Sequence, residues 1–183
     1  MTHLEELLQR NRLFASTDAK SKVPAIPFIP TMGTFVITCI DPRVDPASIL
    51  GLELGDAIVD RNVGGRVTAA VIQDVAWISY LHEVKTPDAD WFELAIIHHT
   101  DCGSGFFADT QLRHGFAERG FDENALAELP VLHPAETVRV DVERLASAPA
   151  ISPAIKISGY SYDIETGLLT TVVPPQSRSD TAR

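Results

Sequence analysis

Two short apolar runs, some sixty residues apart, each end in a cluster of reactive side chains. Gly33-Thr34-Phe35-Val36-Ile37-Thr38 leads into Cys39-Ile40-Asp41-Pro42-Arg43, and Trp91-Phe92-Glu93-Leu94-Ala95-Ile96-Ile97 leads into His98-His99-Thr100-Asp101-Cys102. Both runs are too short for an amphipathic helix and rich in β-branched and aromatic residues, so they read as buried strands. Between them, Ala57-Ile58-Val59-Asp60 predicts a short strand of the same kind.

Helical spacing fills the gaps. Leu4, Leu7, Leu8 and Phe14, with Glu5, Glu6 and Gln9 between them, predict an amphipathic helix over 3–14 that packs on the domain or on a partner subunit. Three prolines in Val23-Pro24-Ala25-Ile26-Pro27-Phe28-Ile29-Pro30 remove donors and force an extended connector. Asp45 as N-cap and Pro46 at N1 predict a short helix ending by Gly51. Residues 67–84 are apolar on nearly every face (Val67, Val71, Ile72, Val75, Trp77, Ile78, Leu81), which predicts a helix buried in the core or in a subunit interface. Further helices are expected at about 107–118 and 136–147, with 121–133 irregular. Residues 151–157, extended by Tyr160-Ser161-Tyr162-Asp163-Ile164, turn at Glu165-Thr166-Gly167 into a hairpin strand at 168–173; Pro174 ends the order and 174–183 read as a flexible tail.

Strands alternating with helices predict a single α/β domain spanning 1–183, with 1–33 as its N-terminal helix and Pro-rich arm. Right-handed crossovers make the central sheet mostly parallel; the expected architecture has order 2-1-3 at its core, helices on its flanks and a C-terminal antiparallel hairpin or edge strand. If the second and third strands lie on opposite sides of the first, the C-terminal ends of strands one and three meet at a switch point, where such sheets bind ligands. That arrangement sets Cys39 beside His99 and Cys102.

The composition narrows the partners. A formal charge of −10 over 183 residues argues against nucleic acid, whose phosphates need a basic surface. No apolar run approaches the ~20 residues of a membrane-spanning helix, and Met1-Thr2-His3-Leu4-Glu5-Glu6 has none of the character of a secretory leader. A cytoplasmic protein is expected. With two cysteines in the chain, a disulfide, a pair of inert buried thiols and a metal site are the alternatives. The neighbouring residues favour metal. Cys39, His99 and Cys102 supply three ligands for a tetrahedral zinc and leave the fourth position open, as in catalytic sites. Adjacent strand residues face opposite ways, so only one of His98 and His99 can reach the metal; the three-residue spacing to Cys102 favours His99 and leaves His98 in the core or behind the site. Asp41 and Arg43 are either a surface ion pair or, beside an open zinc, a carboxylate that accepts a hydrogen bond from bound water and a guanidinium that holds it in place. Zinc brings the pKa of its water from ~15.7 to about 7, giving hydroxide at physiological pH.

C-x-D-x-R at 39–43 followed by H-x-x-C at 99–102 resembles the β-class carbonic anhydrases. So do Arg61-Asn62-Val63-Gly64-Gly65, the HHTDCG string at 98–103 and GYSYDIETGLL at 159–169, so that the likeness runs from about 34 to 173. The resemblance implies one zinc per chain on Cys39, His99 and Cys102, with Asp41 and Arg43 as a gating dyad and Asp41 as fourth ligand in a closed form. It implies a homodimer or a dimer of dimers and reversible hydration of carbon dioxide to bicarbonate by zinc-bound hydroxide. Gly64 and Gly65 would then either carry backbone N–H groups to a thiolate or form a plain helix-entry turn. Val63 and Ser104-Gly105 depart from the residues usual in this family, as does the length of the 85–91 loop. Relatives with the same metal site hydrolyse carbonyl sulfide or carbon disulfide, likewise small, neutral and electrophilic at carbon. A noncatalytic zinc or redox-sensing module is the third reading. His114 and His133 are candidate proton shuttles by residue type alone.

Overall fold

The computed structural model describes residues 3–18, 21, 23 and 29–177. Five strands form one sheet in the order β2-β1-β3-β4-β5: β1 Thr34–Cys39, β2 Ala57–Asn62, β3 Glu93–His99, β4 Lys156–Tyr162 and β5 Leu169–Gln176. The first four are parallel and β5 runs antiparallel to β4, as the alternating pattern predicts. β1 is flanked by β2 and β3, with Cys39 opposite Asn62 and Thr38 opposite Ile97. The ends of β1 and β3 therefore lie side by side.

The helices are α1 His3–Ala15, α2 Pro46–Leu50, α3 Ala69–Lys85, α4 Thr110–Ala117, α5 Glu123–Ala127 and α6 Pro134–Ala146. Asp45 caps α2 by accepting from the Ser48 N–H, and Gly51 closes it at φ +67°, the left-handed geometry that glycine takes without strain. Phe35, Ile37, Leu94 and Ile96 pack with Val71 and Val75 of α3 and Val138, Val142 and Leu145 of α6 to make the main core. A smaller cluster on the sheet contains Val36, Ile97, Val44, Val131 and both cysteines.

The structure narrows some expectations and corrects others. Of the two alternatives for α1, packing on its own domain is excluded: Leu4, Leu7, Leu8 and Leu13 are all exposed. Much of the Pro-rich connector, including 24–28, lies outside the described residues. α3 buries only the stripe Val71, Val75, Ser79 and His82, and Trp77, Tyr80 and Val84 face outward, because a single sheet can cover just one side of a helix. Within the stretch expected to be irregular, Asp122 caps a short helix, α5, through the N–H groups of Asn124 and Ala125. β5 continues through Pro174 and Pro175 to Gln176; as an edge strand it does not need every donor that proline removes. Residues 178–183 of the expected tail lie outside the described residues.

Candidate metal centre

Cys39 is the last residue of β1 and His99 the last of β3. Cys102 follows one tight turn later, made possible by Asp101 in left-handed geometry at φ +51°, which is uncommon for a residue with a side chain. The structure brings all three together. Their ligand atoms lie within 4.8 Å of one another and all three residues are buried; the two sulfurs are 3.8 Å apart and both cysteines are free.

The donors suit a metal ion. The Nδ1 atom of His99 lies 2.8 Å from the Thr100 carbonyl, an acceptor, so Nδ1 carries the proton and Nε2 offers a lone pair. Nε2 is buried and has no hydrogen-bond partner, a costly state unless a cation fills it. Hydrogen bonding with Cys39, helped by the Ser104 hydroxyl, brings the Cys102 thiol down to about 6 against the pull of burial. The bond with Cys102 and then burial push Cys39 up to about 12. The two sulfurs are in hydrogen-bond contact with each other, and a bound divalent cation would displace the protons they carry. Desolvation works against protonation of His99, but the Cys39 side chain and the Thr100 carbonyl outweigh it and raise its pKa.

Asp41 faces Arg43 in a two-pronged contact: Nε reaches Oδ1 at 3.0 Å and Nη2 reaches Oδ2 at 2.7 Å, while the Arg43 backbone N–H also donates to Oδ1. These bonds hold the Asp41 carboxyl down at about 2, the Arg43 side chain contributing most. Beyond the expected dyad, Asp101 grips the outer edge of Arg43 through its carboxylate at 2.8 Å and its carbonyl at 2.9 Å. Arg61 shapes the same loop from below, donating to the carbonyls of Cys39 and Asp41 and to the Asp45 carboxylate. Neither role was assigned from sequence, although both residues stand within the strings that carry the resemblance.

His98 and His99 do face opposite ways. His98 is buried on the far side of β3, with Nδ1 2.8 Å from Thr137 Oγ1 and Nε2 near the Gly65 carbonyl and the Asp141 carboxylate. Gly65 (φ +65°) lies so close to β1 that a Cβ would stand 2.8 Å from the Thr38 carbonyl carbon. The glycine turn therefore does approach the site. The backbone N–H groups that reach the cysteine sulfurs, however, include those of Asp41, 3.4 Å from Cys39 Sγ, and of Ser104 toward Cys102. A cavity of about 450 Å³ opens at Cys102, lined by Arg43, Asp101, Gly103, Gly105 and Phe106. His114 is not among these lining residues; it is exposed and pairs with Glu123 and Glu118. His133 is exposed at the start of α6.

Sheet order and donor set together define an α/β protein with a Cys-His-Cys cluster, able to hold a metal ion, at the sheet's switch point. A family model described as carbonic anhydrase matches residues 34–129. The β-carbonic anhydrase 1 of Mycobacterium tuberculosis is 30% identical over 178 residues, covering 95% of this chain and 100% of that protein. A carbon disulfide hydrolase from an Acidianus species is 27% identical over 156 residues, covering 72% of this chain and 73% of the other. The crystal structure of a carbonic anhydrase from Streptococcus mutans superposes with a TM-score of 0.73 at 32% identity, covering 94% of this chain and 98% of that one. The chain belongs to the β-carbonic anhydrase family, a zinc-dependent enzyme family that includes carbon disulfide hydrolases. Among the described residues no helix is long and apolar enough to cross a membrane.

Proposed function

We propose that this protein is a zinc enzyme that interconverts carbon dioxide and bicarbonate, with Cys39, His99 and Cys102 as the metal ligands and Asp41 and Arg43 as the groups acting beside it. One observation carries the reading: the buried, unpartnered Nε2 of His99 lies within reach of two free sulfurs. Bound zinc supplies Lewis acidity that lets water ionise near neutral pH. The protein's part is to hold the rest in place. The Asp41 carboxylate, ionised and turned toward Arg43, would accept a hydrogen bond from a water in the site, and Arg43, clamped in turn by Asp101, would hold that carboxylate in its two-pronged contact and away from a bound metal. The cavity beside Cys102 gives a small neutral substrate its entry.

Hydrolysis of carbonyl sulfide or carbon disulfide is the second reading, supported by the similarity to proteins named carbon disulfide hydrolase. One zinc-loaded preparation decides between them. Carbon dioxide hydration, followed by stopped flow with a pH indicator, is expected to be faster than sulfide release from either sulfur compound. The reverse order assigns the hydrolase, and no turnover of any of the three in fully metallated protein leaves a noncatalytic zinc module. The exposed leucines of α1 and the outward Trp77 and Tyr80 of α3 support assembly into a homodimer or dimer of dimers; light scattering that finds only monomer overturns this. The free thiols fit a reducing, cytoplasmic compartment.

A further inference from the structure

We propose that Ser104 is a positioning residue of the metal centre, its hydroxyl donating a hydrogen bond to the Cys102 sulfur and so setting how strongly that sulfur donates to the metal. The inference rests on the reading of Cys102 as a ligand and adds to it a residue that touches no substrate. Ser104 is buried, and its Oγ lies 3.2 Å from Cys102 Sγ and 3.1 Å from the Val131 N–H. Val131 has only a donor to offer at that point, so Oγ accepts from it. A metal-bound Cys102 is a thiolate with no proton, so the hydroxyl is the donor in the second contact.

The hydroxyl is aimed by distant parts of the chain. Arg66 holds the segment before Val131 by donating from Nη1 to the carbonyls of Glu128 and Pro130. Asp141, fully buried on α6, holds Arg66 through two bonds of 2.6 and 3.1 Å. From the other side, a Cβ on Gly64 would stand 3.0 Å from Ser104 Oγ and 3.2 Å from the Leu129 carbonyl. The absence of a side chain there leaves room for the serine and for the backbone that orients it.

The alternative is that Ser104 serves only the Val131 N–H and the packing of this turn. Cobalt(II) added to metal-free protein separates the two, because the near-ultraviolet sulfur-to-cobalt charge-transfer band reports electron density on the ligand sulfur. Ser104→Ala is expected to move that band to longer wavelength and to weaken zinc binding, measured against a chromophoric chelator, by about tenfold, the lower end for loss of a group supporting a ligand. Ser104→Thr, which keeps the hydroxyl, is expected to restore both. A Ser104→Ala band at the wild-type position, equal shifts in the Ala and Thr variants, or loss of the far-ultraviolet circular dichroism signal in Ser104→Ala each overturns the assignment. Failure of wild-type protein to bind stoichiometric zinc or cobalt overturns the metal reading itself, an outcome distinct from an unshifted variant.

Discussion

Asp141 is the group whose removal should be felt farthest from its own position. Its carboxylate is fully buried and accepts from Arg66 Nε at 2.6 Å, Arg66 Nη2 at 3.1 Å and the Val67 N–H at 3.1 Å, with His98 Nε2 at 3.3 Å. Burial by itself raises the pKa of this carboxyl; the hydrogen bonds from His98 and Arg66 and the charge of Arg66 outweigh it and bring the group from 3.8 to about 2. At 1.36 kcal/mol per pKa unit, that depression is worth roughly 2.5 kcal/mol of folding stability. Because the folded-state pKa is the lower one, the contribution is fully present above the unfolded value near pH 4 and drains away as pH falls toward 2. Asp141→Asn removes the charge and leaves the buried Arg66 guanidinium uncompensated, for which broken buried pairs cost about 3–5 kcal/mol. Urea unfolding of zinc-loaded protein at fixed protein concentration, at pH 7 and down an acid series, measures both effects. The variant should be at least about 3 kcal/mol less stable at pH 7, and the gap should narrow below pH 4. A variant within about 0.5 kcal/mol of wild type, the range of ordinary surface substitutions, or a gap that does not change with acid, refutes the network's role.

The other predictions bear on the site more directly. Arg43→Ala frees Asp41 from its two-pronged contact; zinc content should stay at one per chain while carbon dioxide hydration drops about 100-fold, the low end for losing a positioned proton-transfer group, and full turnover would show that the dyad does not gate. Gly65→Ala puts a Cβ 2.8 Å from the β1 backbone in left-handed geometry. Backbone conformation alone costs about 1–2 kcal/mol and the clash adds to it, so a lowered midpoint in thermal unfolding is expected, and an unchanged midpoint would mean that the turn is free to shift. Cys39→Ala removes a ligand, and inductively coupled plasma analysis should find less than stoichiometric zinc together with a lower unfolding temperature. Retained zinc in that variant would point to ligands elsewhere.

What the linear chain determined by itself was everything carried by local pattern. The apolar runs are strands because their length and β-branching allow little else, and strand–helix alternation with right-handed crossovers makes the sheet parallel; the observed 2-1-3 order then sets Cys39 against His99 and Cys102. The period of two along β3 by itself separates His98 from His99. Tertiary structure alone decided what joins residues far apart in sequence. Arg66 meets Asp141 across 75 positions and Val131 meets Ser104 across 27; no periodicity encodes such pairs, since each depends on where α6 and the 128–131 segment come to rest on the sheet. Arg43 finds Asp101 only because the turn after β3 places Asp101 in left-handed geometry. The exposed faces of α1 and α3 have the same origin: amphipathicity says that a helix has a face to bury, and only the assembled fold says whether this chain has anything to cover it with.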